Sequence, residues 1–541
     1  MSRVDDAPAD VAERTFLKTG QEYKAGLKDG REVYYMGERI DDVTTHPATK
    51  GGVETVARMY DAQHAPGTAD ILTHLRTDGA RVTNGFFLPR TIADIKFRRE
   101  GIEYIARQTF GTHGRGMDMI ANFLVGMVSE FPAFKRACPE YADHILAYRD
   151  MAEENNFFLA ETIIDPQGYR SRGSGTAPTE TPPERATSQV VKENDEGIWI
   201  SGVKGVGTAA AFAHEFIFGS FHPALEQESF WISVPADAEG VKVFCREGVH
   251  HPDASLKDHP VAALGDETES LVAFDEVFVP REKIFSYRAP ELHSVNFCNT
   301  WLRFDHWYTF IRITAKAELF AGLAQLIVET LELGNIPVVR QRVADICEYA
   351  QILRGLAVAA EELAKPSEGG LMVPDMNTVT AGRSYALANY PWVIHLLQDL
   401  CGQGLIVRYS EADLELPAAF GKNFAWFLDT QAMSAQDKNL VMNLVWDVTT
   451  SAHAGRMKLF EEANALNVPL LKERLYGEYE RDHFVDDCRH FIGLGKSARR
   501  TYQTEIIQIW TEQRGQEVLQ RAKESERHGH EAGSRGMSGD E

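Results

Sequence analysis

Arg115 lies in the stretch GTHGRGMDM, residues 111–119, where three glycines, an arginine and an aspartate share nine positions. A guanidinium held by a close-running backbone suits a phenolate or a carboxylate, because its fork offers paired donors. Glu161, in LAETIIDPQ, is a second candidate. As a carboxylate it only accepts hydrogen bonds; kept protonated by burial, it also donates one. His306, in WLRFDHWYTFIR, is a third, since an imidazole near its usual pKa removes a proton at physiological pH. Asp305 precedes it, but sequence neighbours point apart, so the two are not read as a dyad. Arg170 and Arg172, in RSRG, supply positive charge suited to a pyrophosphate.

Other chemistries fit less well. GVKGVGT and GTHGRG are glycine-rich, but neither has the dinucleotide-binding order G-x-G-x-x-G, and no G-x-x-x-x-G-K-[ST] is present. The six cysteines are scattered singly, with no CxxC pair. This disfavours iron–sulfur and structural zinc sites and fits a reducing cytoplasm. His250, His251 and His259 lie near Asp253 and Asp258, yet no metal site is expected. A formal net charge of −23 argues against nucleic acid and an anionic membrane surface as partners. No apolar run reaches the length of a spanning helix, and MSRVDDAPADVAERTF has no apolar core of a signal segment.

The elements that must position these residues change period along the chain. Residues 1–15 are polar, and 16–165 read mainly helical. The helix in IADIKFRREGIEYIARQTFG is expected to end at Gly111. Residues 166–288 read as a central antiparallel β-domain. It opens with a loop over 167–187, and a hairpin signal follows at NDEG. Residues 289–515 read as a helical bundle, with Phe320, Leu323, Ile327 and Leu331 on one stripe. DKNLVMNLVWDVTTSAHAGRMKLFEEANAL reads as one further helix, and 516–541 as a polar tail. The fold class is therefore α+β, mainly α with a central β-domain. Helices, then sheet, then bundle is the order of the acyl-CoA dehydrogenase-like flavoproteins.

The segment KTGQEYKAGLKDGREVYYMGERIDDVTTHPAT, residues 18–49, resembles the opening of the 4-hydroxyphenylacetate 3-monooxygenase family, the large oxygenase components of two-component flavin monooxygenases. The likeness continues through RREGIEYIARQTFGTHGRGMDM, DPQGYRS, DEGIWISGVKGVGT, DHPVAALGDETESLVAFDEVFVPREKIFSYR, KAELFAGLAQL and WDVTTSAHAGR, over about residues 16 to 475. It implies FAD, delivered as FADH2 by a separate NAD(P)H:flavin reductase, and O2 as co-substrate. A flavin C4a-hydroperoxide would then hydroxylate a phenolic or related small aromatic molecule. It also implies a homotetramer or dimer.

The same resemblance assigns site residues. Arg115 takes the place of a substrate-site arginine. Met119 stands where a tyrosine is expected and Glu161 where a histidine is expected, so the substrate should differ from that of the best-known members. His306 lies near a histidine that deprotonates the phenol in chlorophenol- and nitrophenol-directed relatives. Flavin contacts are implied for Glu161, Thr162, Asp165, Pro166, Gln167, Arg170, Ser171, Arg172, Gly173 and Thr208. They are also implied for Ser451, Ala452, His453 and Ala454, a turn in which His453 replaces a phenylalanine. The alternatives are a 4-hydroxybutyryl-CoA dehydratase-like lyase, an acyl-CoA dehydrogenase, or a binding protein with altered catalysis. The lyase needs cysteine and histidine ligands, and the GRGMD region has no paired cysteines.

Overall fold

The computed structural model describes residues 14–164, 188–220, 226–250, 255–464 and 467–494. The chain falls into two units, Met1–Pro166 with Ala186–Val468, and Gln167–Arg185 with Pro469–Glu541. The described part of the second is helical and includes Asp482–Phe491. All that follows concerns the first.

Local chemistry sets the helix ends near the site. Ile92–Gln108 begins behind a capping box: the Asp94 amide donates to the Thr91 hydroxyl (3.1 Å), and the Thr91 amide donates to the Asp94 carboxylate (2.8 Å). It stops where expected. Phe110 and Gly111 take φ values of 55° and 67°, and the Gly111 amide closes back on the Ala106 carbonyl at 2.7 Å.

Two sheets follow. The six-stranded sheet runs Glu38–Ile40, Glu32–Tyr35, Val241–Cys245, Glu269–Pro280, Gly197–Thr208 and Gln189–Asn194. The four-stranded sheet runs Ile284–Tyr287, Phe230–Pro235, Glu215–Gly219 and Leu159–Thr162. The expected hairpin is present: Asn194 pairs with Gly197, and the Asn194 side chain accepts the Glu196 and Gly197 amides. The Phe218 and Phe274 rings stack at 4.5 Å and join the sheets.

The sheets are not wholly antiparallel, and they draw strands from the segment read as helical. Glu32–Tyr35 pairs parallel with Val241–Cys245, and Leu159–Thr162 pairs parallel with Glu215–Gly219. Leu159–Thr162 is buried at all four positions, so it carries no alternation to betray a strand. That strand delivers Glu161.

Arg303–Thr330, Pro337–Glu362, Met376–Cys401 and Ala435–Thr449 pack together as the C-terminal helices. Phe320, Leu323 and Ile327 are buried as their spacing predicts, while Leu331 caps the helix end half-exposed. The helix expected to run unbroken past residue 449 is two helices, Ala435–Thr449 and Ala452–Asn464. The Thr-Thr-Ser run breaks it through side chain–backbone bonds. Thr449 Oγ1 donates to the Val445 carbonyl (2.7 Å), and Ser451 Oγ accepts the Ala454 amide (3.1 Å). Among the described residues no helix is long and apolar enough to cross a membrane.

Candidate active site

Residues 111–120 form a loop whose every residue is buried. A buried loop must find partners for its amides. Here Glu267, at the start of Glu269–Pro280, accepts from the Gly114 amide (2.7 Å) and the Arg115 amide (2.6 Å). The Gly116 amide donates to the Tyr308 hydroxyl (3.2 Å). Burial raises the Glu267 carboxyl, but His113, then Arg456 and these backbone bonds, hold it below the usual range.

The charges around the loop are interlocked. Arg456 donates to Glu267 at 3.0 Å and to Glu269 at 2.9 Å. Arg312 grips Glu461 through two bonds of 2.6 Å and reaches the Gly111 carbonyl at 3.2 Å. Lys316 joins the same carboxylate. Burial lowers the Lys316 pKa to about 8, while Arg312 and Lys316 hold Glu461 at about 2 against its burial. The Phe460 ring faces three guanidiniums, those of Arg456 (4.5 Å), Arg115 (5.3 Å) and Arg312 (5.5 Å). Gly114 lies directly on that ring: a Cβ there would sit 2.0 Å from Phe460. The glycine is required by close approach.

Arg115 and Glu161, assigned separately in sequence, form a buried ion pair. Arg115 also donates to Asn464 Oδ1 (3.1 Å), which in turn donates through its amide to Thr309 Oγ1 (2.9 Å). Arg115 Nε and Glu161 Oε2 remain buried without a hydrogen-bond partner. Burial pushes the Glu161 carboxyl up to about 7, with Asp305 adding to the rise and Arg115 opposing it. Asp305 is likewise pushed up to about 6 by burial, opposed by Arg115, Arg383 and Arg312. Its Oδ1 has no hydrogen-bond partner. So the carboxyl group that acts electrostatically on Arg115 and Glu161 is Asp305, one turn before Thr309 on the same helix, and His306 is buried one position further round. A step of one residue turns about 100°, which separates the two side chains.

The remaining assigned residues lie in different surroundings. Thr208, at the end of Gly197–Thr208, is fully buried with an unpartnered hydroxyl, as is Thr268, whose carbonyl accepts the Ala209 amide next to it. His453 lies on the first turn of Ala452–Asn464 with both ring nitrogens unpartnered, and His113, from the glycine loop, is in the same state. Burial drops the His453 pKa to about 3 and lowers that of His113, and each imidazole is felt electrostatically in this one cluster with Glu267 and Arg456. Both rings are therefore neutral. Met119 is buried in the core, and Thr162 Oγ1 reaches the Gly205 carbonyl only at 3.5 Å. Ser451 to Ala454 form a helix start, not a turn: the Ser451 hydroxyl is engaged as the cap, Ala452 is exposed and Ala454 is buried. Asp165, Pro166, Gln167, Arg170, Ser171, Arg172 and Gly173 lie outside the described residues.

A concentration of buried, unpartnered donors and acceptors is uncommon, since each costs about 1–3 kcal/mol when left unmet. Here they mix hydroxyls, neutral imidazoles, a guanidinium N–H and carboxylate oxygens. That mixture fits a planar heteroaromatic ring with donors and acceptors along one edge, as a flavin has, and a hydroxylated partner beside it.

Sequence reading missed Glu267, Glu461, His113 and the roles of Asp305, Thr309, Arg312 and Lys316. One signal was available. Asp305, Thr309, Arg312 and Lys316 recur at i, i+4, i+7 and i+11 in a run where Phe304 to Ala317 is buried throughout. Polar residues on one face of a helix buried all round mark an internal polar seam.

The model described as 4-hydroxyphenylacetate 3-hydroxylase N terminal matches residues 19–286, and its C-terminal counterpart matches residues 298–493. The oxygenase component of 4-nitrophenol 4-monooxygenase/4-nitrocatechol 2-monooxygenase from Rhodococcus opacus is 30% identical over 513 residues, 91% of this chain and 95% of that one. An FADH2-dependent monooxygenase of Burkholderia cepacia is 30% identical over 457 residues, 83% of this chain and 87% of that one. The crystal structure of the oxygenase component of 4-hydroxyphenylacetate 3-monooxygenase with FAD and 4-hydroxyphenylacetate superposes with a TM-score of 0.81. It is 28% identical and covers 88% of this chain and 98% of that one. With both halves of the chain matched around one buried polar site, this protein belongs to the 4-hydroxyphenylacetate 3-hydroxylase family.

Proposed function

We propose that this chain is the oxygenase component of a two-component flavin monooxygenase, hydroxylating a phenolic small molecule with FADH2 and O2. The observation that carries the reading is the buried Arg115–Glu161 pair, whose Arg115 Nε and Glu161 Oε2 lack hydrogen-bond partners and on which Asp305 acts electrostatically. Reduced FAD, when bound, supplies two electrons to O2, so that one oxygen atom enters the ring and the other leaves as water.

A phenol hydroxyl satisfies both open atoms at once. Its oxygen accepts from Arg115 Nε, and its proton goes to Glu161 Oε2, whose carboxyl sits near neutrality at about 7. The phenolate left behind is held by the guanidinium, and its charge spreads to the ortho and para carbons, where oxygen adds. Thr208, Thr268, His113 and His453 offer hydrogen bonds to the flavin ring, and the neutral imidazoles add no charge there. Arg312–Glu461 and Arg456–Glu267 keep loop and helices closed against water. By the family pattern, Thr162, Asp165 to Gln167 and Arg170 to Gly173 run along the cofactor, with Arg170 and Arg172 at its pyrophosphate. Met119 lines the substrate side, and His306 stands by as a second base. A separate reductase supplies FADH2 by diffusion, and the chain works in the cytoplasm as a homotetramer or dimer.

The test supplies chemically reduced FAD and isotopically heavy O2 to the protein with a panel of phenols and no reductase. A product carrying one heavy oxygen supports the reading. Flavin oxidation with no labelled product from any phenol rejects it.

A further inference from the structure

Resting on that reading, we infer that the substrate carries a second hydrogen-bond donor, a hydroxyl or an amine, received by Asp305, and carries no carboxylate. Three buried polar atoms lack partners at the ion pair or next to it: Arg115 Nε, Glu161 Oε2, and Asp305 Oδ1, one turn before the Thr309 that binds Asn464 beside Arg115. One phenol hydroxyl meets the first two, because it accepts and donates at the same oxygen. Asp305 Oδ1 is then still unmet. Glu161 and Asp305 are 6% and 7% exposed, so water does not readily replace a ligand there. An acceptor of this kind selects a donor.

Charge leads the same way. Arg115 is the cation that a substrate carboxylate would seek, but Glu161 already neutralises it. Three further cations of the cluster are engaged. Arg312 holds Glu461 together with Lys316, and Arg456 holds Glu267 and Glu269. A carboxylate brought to this cluster meets two carboxyl groups that already repel each other. A hydroxyl or an amine meets an acceptor. Sites built to hydrogen-bond a substrate group reject analogues lacking it far more strongly than apolar pockets reject a missing methylene.

The experiment uses the intact protein with FADH2, O2 and four probes. Hydroquinone and tyramine carry a second donor, 4-methylphenol carries none, and 4-hydroxyphenylacetate carries a carboxylate. Wild type is expected to hydroxylate the better of the two donor-bearing probes with kcat/KM about tenfold or more above 4-methylphenol and above 4-hydroxyphenylacetate. In Asp305→Ala, which removes the acceptor, the ratio of kcat/KM for the donor-bearing probes to that for 4-methylphenol should shrink to about twofold. Equal or better use of 4-methylphenol or 4-hydroxyphenylacetate by wild type overturns the inference and leaves the phenol hydroxylase reading standing. No hydroxylation of any probe counts against both. The wild-type comparison decides the matter even where the variant folds poorly.

Discussion

Glu161 shows how one residue's chemistry is set by its surroundings. In water its carboxyl would be ionised well below neutral pH, but burial raises it to about 7, with Arg115 pulling the other way. A base of that pKa is half available at neutral pH, which suits proton removal from a phenol. The sign follows directly. Below about 7 the carboxyl is protonated and cannot accept the phenol proton, so kcat/KM should rise with pH through that region. Glu161→Gln should lose this limb and fall about 10²–10⁴-fold at pH 8. A variant whose pH profile retains the wild-type limb removes Glu161 from the role of base. Asp305 resembles Glu161 in burial but differs in partners. The charges acting on it are Arg115, Arg383 and Arg312, and its Oδ1 is buried without a hydrogen-bond partner, so it is an acceptor in waiting.

At the scale of elements, the site depends on a loop that has no regular structure and no exposure. Glu267 compensates by taking two consecutive amides of that loop, and it is fixed by Arg456 from the Ala452–Asn464 helix. The same helix inserts Phe460 between the guanidiniums and onto Gly114. Gly114→Ala should therefore cost about 1–3 kcal/mol by overpacking. In Phe460→Ala the added methyl has room, so the double variant should be more stable than the sum of the two single losses by about 0.5–3 kcal/mol. Urea unfolding of the four proteins measures this. Additive losses would show that the ring and the glycine do not meet.

Across the whole molecule, elements remote in sequence supply one polar interior: the glycine loop, the Leu159–Thr162 strand, the ends of two strands of the six-stranded sheet, and two C-terminal helices. Their unmet polar atoms weaken the fold when no ligand is present, and a ligand that meets them stabilises only the folded state. FAD at about 100 times its Kd should add about 2.7 kcal/mol, raising the unfolding temperature as its concentration rises. A midpoint that ignores FAD would contradict a flavin site in this interior.

Much of this protein was legible in local pattern. The end of the helix at Gly111, the hairpin before Gly197 and the buried stripe at Phe320, Leu323 and Ile327 all follow from neighbours a few residues apart. So did the family and, with it, the candidacy of Arg115, Glu161, Thr208 and His453. Two errors at the element scale have local causes. A strand buried at every position shows no alternation, and a Thr-Thr-Ser break hides inside an apolar repeat. What only the tertiary structure decided is which charges meet. Arg115 finds Glu161 across 46 residues, Arg456 finds Glu267 across 189, and Arg312 finds Glu461 across 149. Pairing at such separations depends on how strands and helices pack, and sequence spacing carries no record of it. The residue type of Glu161 was plain from the sequence; that it neutralises Arg115, beside an Asp305 still lacking a partner at Oδ1, was settled by packing.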